Sequence, residues 1–300
     1  MNVAEVLSTH FEGVAPLNRP IMVLALRGWF DIAEVATTAV NELFADRVAP
    51  IVASIDPDPF FDFTQERPFV ELDEDEIRHV HWPENEFRFA RFPGAPHDLV
   101  VLAGVEPHLR YATFAESVLQ VATLSKCEVV VTVGAVADTI PHTRPPLVVG
   151  STTNSSLMSA LGLSTPRYQG ITGLVGVLQE RLDRAGVPAV SLRVGVPHYL
   201  AGVQHPQSSI ALLQHLHHIL GVPVHTARLA AEAARRRALH DEAVADDEQA
   251  TAYVTMLERE YDQHSEAAIP SADDLAAEFE RFLRDHREDG HGDGGFSDDS

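Results

Sequence analysis

The feature that most narrows what this chain can become is a set of short, almost unbroken aliphatic runs at 21–26, 99–103, 128–133 and 187–194. Strands apolar on both faces must be covered on both, so these runs read as a sheet lying between two helical layers. The segments 109–126, 172–185 and 208–220, and the stretch from Asp31 to Asp46, have helical periodicity and supply those layers. Segments 48–55 and 147–151 read as further short strands, and 77–82 with 87–92 as an antiparallel pair, which makes the sheet mixed. The expected fold class is α/β: a three-layer α/β/α sandwich with a mixed, mostly parallel sheet and a helical C-terminal extension.

With 300 residues, the chain is long enough to bury a core without metal or disulfide staples. Its composition changes near residue 225. Glycine is absent from 222 to 289, and residues 232 to 300 hold 20 acidic against 7 basic side chains. We therefore expect a core domain over 1–225, a helical region over 226–289 broken near Asp246-Asp247, and a disordered acidic tail over 290–300. Ser271 and Asp274 resemble a helix start, and Leu275, Phe279, Phe282 and Leu283 then share one apolar face.

The formal net charge of −22 argues against a nonspecific grip on nucleic acid or anionic lipid, which needs clustered Lys and Arg. Cys127 is the lone cysteine, so no internal disulfide forms and a reducing, cytoplasmic setting is the simpler expectation. Residues 1–13 lack the pattern of a secretory signal, and no window approaches the length of a membrane span. Lys126 is the single lysine, which leaves one candidate for a phosphate-loop or Schiff-base ammonium.

Sites in sheets of this kind form at the carboxyl ends of strands. The loops there carry Asp31, Glu106, Arg110, Asp138, His142, Arg144 and His198 as candidate cleft residues. In a shared cleft, Arg110 or Arg144 would hold an anion and His142 or His198 would act as base. Each also has a plainer reading. Asp31 fits a helix cap, Glu106-Pro107 a helix start, Arg144 a partner for Asp138 or Glu106, and His198 a hydrogen-bonded loop histidine. The glycines 170, 173 and 176 open a helix without dinucleotide spacing, and close packing accounts for them. His215 and His218 share a helix face with no carboxylate beside them, so no metal is expected.

Six short motifs follow one another: Gly28-Trp29-Phe30-Asp31; Asp62-Phe63 with Arg67-Pro68; Gly104-Val105-Glu106-Pro107-His108-Leu109-Arg110; Asp138-Thr139-Ile140-Pro141-His142-Thr143-Arg144-Pro145; Tyr168-Gln169-Gly170-Ile171-Thr172-Gly173; and Val196-Pro197-His198-Tyr199. In this order, over residues 18 to 285, the chain resembles the bacterial branch of the proteasome assembly chaperone family, second-subunit type. The resemblance implies a phosphorylase/hydrolase-like three-layer core, oligomerisation and an added helical C-terminal part. In eukaryotes the family's work is non-enzymatic and guides assembly of proteasome α-rings. One departure is the ending Phe296-Ser297-Asp298-Asp299-Ser300, which lacks the hydrophobic-Tyr-any docking motif. The leading expectation is a non-enzymatic, cytoplasmic homo-oligomer with an unidentified protein partner and no cofactor. The alternative is a small-molecule-binding protein or enzyme, hydrolase/phosphorylase-like or ATP-grasp-like, that uses the strand-end cleft.

Overall fold

The computed structural model describes residues 2–200 and 202–265. The chain runs through β1 (Leu7–Thr9), β2 (Ile21–Arg27), α1 (Val35–Glu42), β3 (Ile51–Ile55), β4 (Phe69–Leu72), β5 (Arg78–His81), β6 (Asn85–Ala90) and β7 (Leu99–Val105). It continues through α2 (Tyr111–Leu124), β8 (Val129–Asp138), β9 (Val148–Ser151), α3 (Ser155–Leu161), α4 (Leu174–Arg184), β10 (Ala189–Pro197), α5 (Pro206–Leu220), α6 (Ala227–Ala245) and α7 (Glu248–Ser265).

Eight strands form one sheet in the order β1-β3-β6-β7-β2-β8-β10-β9. The four consecutive strands β7, β2, β8 and β10 are mutually parallel, and antiparallel strands flank them on both sides. Alternation along β2 shows why two helical layers are needed. Ile21, Val23 and Ala25 face a core shared with α1, α3 and α5, while Met22, Leu24 and Leu26 face a second core under α2 and α4. All six are buried. The expected α/β/α layering is what the structure shows.

One local expectation is corrected. The segments 77–82 and 87–92 do not pair with each other. β5 pairs with β4 as a separate two-stranded ribbon, and β6 enters the main sheet between β3 and β7. Period-two alternation marks both as strands but carries no information about partners, and Pro83 in the link ends the first before it can fold back. The segment 155–161, which has no expectation attached to it, is α3.

The C-terminal break is where composition puts it, because α6 ends at Ala245 and α7 starts at Glu248. α6 enters the larger core through Leu229, and α7 is seated by Val254 and Leu257. The expected helix after Ser271, its apolar face and the tail over 290–300 lie outside the described residues. No helix among the described residues is long and apolar enough to cross a membrane.

Candidate functional site

The topology carries the ends of β2, β7, β8 and β10 to one rim of the sheet, so the loops bearing the candidate residues do come to the same end of the molecule. Their side chains then divide into separate locks.

Asp31 caps α1. Its Oδ1 accepts from the Ala36 N–H at 2.6 Å, and its Oδ2 from the Thr37 N–H at 3.0 Å and the Thr37 hydroxyl at 2.6 Å. Burial pushes its carboxyl above the usual range, and these three donors oppose that shift. Glu106, at the end of β7, ties two loops together. Oε2 accepts from the Trp29 N–H and Oε1 from the Leu174 N–H, each at 2.8 Å. Gly28 and Gly173 admit this carboxylate, since a Cβ at either position would lie 2.6 Å from it. The glycine at the head of α4 is thus explained by close approach to Glu106, with Leu174 offering one of the helix's orphan donors.

The β8–β9 loop and the start of the β10–α5 connection form a second lock, directed at the C-terminal helices. The buried His142 sits between Tyr199 and Asp241 of α6, with its Nδ1 2.8 Å from the Tyr199 hydroxyl and its Nε2 3.1 Å from Asp241 Oδ1. The His142 N–H also donates to that hydroxyl at 2.8 Å. Arg144 does not pair with Asp138 or Glu106. It grips α7 instead: Nε and Nη2 each reach Asp262 at 2.8 Å, and Nη1 reaches Glu258 at 3.1 Å. These partners lie 114 and 118 residues away, a pairing no local pattern encodes. The paired carboxylates hold the guanidinium pKa above its usual value. His198 bridges the Asp138 carbonyl, 3.2 Å from Nδ1, and the Tyr253 hydroxyl of α7, 3.1 Å from Nε2.

Asp138 accepts from its neighbour Thr139 N–H at 2.7 Å, and Arg110 is exposed at the head of α2 with φ 58°. Of the seven, then, Asp138, His142, Arg144 and His198 gather where the C-terminal helices dock. Asp31 and Glu106 hold the ends of β2 and β7, and Arg110 stands apart.

The open spaces lie elsewhere. A hollow of about 610 Å³ between α1, α5 and α6 is lined by Asn41, Glu42, Gln204, Ser209, Arg228 and Glu232 among others. A crevice of about 330 Å³ beside the ends of β2 and β7 is lined by Arg27, Glu66, Arg67, His81 and Trp82. Neither includes any of the seven. Among the described residues, no three metal-ligating side chains come together.

Sequence reasoning did not reach the apolar side chains left in solvent at this rim. Trp29, Leu109, Tyr168 and Ile171 are exposed there, as are Phe69, Leu72 and Val80 on the β4–β5 ribbon. Their presence inside loops and a strand that otherwise read as polar was the available signal.

The chain is thus a three-layer α/β/α protein whose strand-end polar residues, Arg110 apart, are engaged in internal locks, with apolar side chains presented around them. Comparison places it within one family. The family model described as the PAC2 family matches residues 25–244, and the chain belongs to that family. A PAC2 family protein from Streptomyces avermitilis is 36% identical, with a TM-score of 0.73, over 78% of this chain and 99% of that one. A Mycobacterium tuberculosis proteasome-assembly chaperone homologue is 34% identical, with a TM-score of 0.70, over 78% and 99%. A second M. tuberculosis protein, of unknown function, is 28% identical, with a TM-score of 0.76, over 93% and 96%. No curated protein matches the sequence.

Proposed function

We propose that this chain is a non-enzymatic interaction protein that self-associates in the cytoplasm and assists the assembly of a larger protein complex, in the manner of a proteasome-assembly chaperone. One observation carries the reading. Apart from Arg110, the polar residues that would build a cleft are bonded to backbone groups or to the C-terminal helices, while large apolar side chains at the same rim face water. The name borne by the Mycobacterium relative supports the direction of the reading.

The test supplies the purified chain to unassembled proteasome α- and β-type subunits from the same organism and follows particle formation by native gel. The expected result is a complex with one subunit type and faster appearance of the assembled particle. Absence of binding to either subunit, with an unchanged assembly rate, would overturn the proposal.

The crevice beside Arg27 and Arg67 favours a second reading, a binder of small anions. Equilibrium dialysis against ATP with magnesium and against inorganic phosphate tests it. Retention of either that is lost in Arg67→Ala is the outcome it requires.

A further inference from the structure

A third hollow opens at the opposite rim of the sheet, where β2 and β8 begin. It measures about 430 Å³, within the range of ligand pockets. Its walls are apolar: Phe11, Val14 and Leu17 from the strap that precedes β2, Phe89 of β6, and Leu124 at the end of α2. The strap is fastened along its length. The His10 N–H donates to the Val52 carbonyl at 2.7 Å, Arg91 donates to the Ala15 and Pro16 carbonyls, and the Asn18 N–H donates to Asp98 at 2.8 Å. Phe11 also meets Phe89, with ring centroids 5.8 Å apart. Walls fastened in this way keep the shape of the hollow, so little has to be ordered when an occupant enters.

Three charged residues line it, and they are not equivalent. Arg19 and Glu128 pair with each other, Nε and Nη2 each lying 3.4 Å from a carboxylate oxygen. Lys126 is left over. It is the one lysine of the sequence, and no hydrogen bond or ion pair with a described residue engages its ammonium. It also stands where lysine is unfavourable. Its φ of 56° lies in the left-handed region that closes α2, a conformation glycine adopts without steric cost. A side chain kept on strained backbone invites a functional account. The helix end does not oppose an anion here, because its carbonyls are taken. Val121, Ala122 and Thr123 accept from the N–H groups of Ser125, Cys127 and Lys126 at 2.9, 2.9 and 3.0 Å.

Ser125 lines the same hollow, and its hydroxyl is buried with no hydrogen-bond partner among the described residues. Buried polar groups are nearly always paired, so this one marks a place for an acceptor. An apolar hollow with one uncompensated cation and one unpaired donor selects its occupant by chemistry: an alkyl chain that ends in an anion.

We infer that this hollow binds a single-chain fatty acid, with the chain against Phe11, Leu17 and Phe89 and the carboxylate between the Lys126 ammonium and the Ser125 hydroxyl. The site lies apart from the rim and the crevice of the functional reading and does not depend on it.

Reductive methylation of the full chain with 13C-formaldehyde keeps the charge of Lys126 and gives a single lysine signal, which dodecanoate, added below its micellar concentration, should move to saturation. Calorimetry on the unlabelled chain should show one site, with decanoate bound roughly tenfold more tightly than octanoate because two more methylenes are buried. Lys126→Gln should weaken dodecanoate binding about tenfold and Lys126→Arg should keep it. Leu124→Asp, which sets a carboxylate at a half-exposed position of the wall, should abolish it. Circular dichroism confirms that each variant is folded. Dodecyltrimethylammonium, with the same chain and the opposite charge, should not bind. A lysine signal that stays in place at saturating dodecanoate would overturn the inference. So would equal binding of the cationic amphiphile, or dodecanoate affinity unchanged in folded Lys126→Gln and Leu124→Asp.

Discussion

Glu106 shows how a residue that reads as a candidate cleft residue in sequence can be structural. Both of its oxygens are occupied by backbone N–H groups from loops 77 and 68 residues away. Replacing one oxygen by an amide opposes donor to donor, so Glu106→Gln should lower stability by about 1–3 kcal/mol, read from urea unfolding. An unchanged midpoint would refute the lock. Asp31 behaves differently in sequence, because a helix cap is a local role and its acidic side chain just before an apolar helix announces it. The partners of Glu106 are fixed by the topology of β2 and α4, which no spacing within its own motif records. That difference, local bond against distant bond, separates the site residues whose role was legible from those whose role was not.

At the scale of elements, the β8–β9 loop is a clamp. Thr143, Arg144 and the Pro145 carbonyl hold Glu258, Asp262 and Tyr261 of α7, while His142 holds Asp241 of α6. Arg144→Ala removes the bidentate grip on Asp262 and the bond to Glu258. Amide exchange over 248–265 should then quicken, with cleavage by protease near Asp246-Asp247, while protection in β2 and β8 is kept. Exchange that is unaltered in α7 would show that its remaining contacts, Val254 and Leu257 with the bonds to Thr143, Pro145 and His198, seat the helix without Arg144. The helices and parallel strands themselves were readable because their periods, 3.6 and continuous apolar, are properties of a single segment. The β4–β5 ribbon was misread because pairing is a property of two.

For the molecule as a whole, acid is the informative stress. Burial, with the charges of His240 and His142, pulls His205 down to about 4, and burial with His218 pulls His215 down to about 4, against an ordinary 6.5. The unfolded chain takes up these protons first, so stability is full above pH 6.5 and falls as pH drops toward 4. Each shift represents on the order of 3 kcal/mol. Urea midpoints measured between pH 7.5 and 4.5 should fall, and His205→Gln should flatten part of that slope. An identical slope in the variant would remove His205 from the account.

The two-sided core of β2 has one more effect. With Ile21 through Leu26 buried on both faces, sliding the strand by one residue would exchange one aliphatic row for another and expose nothing. Hydrophobicity therefore cannot choose the alignment of the central strands. The choice falls to the polar fastenings at their ends, the Ile21 N–H on the Asp98 carbonyl, the Glu106 N–H on the Arg27 carbonyl and the Glu106 carboxylate on Trp29. Charged loops of this kind are the keys that index an otherwise uniform greasy sheet.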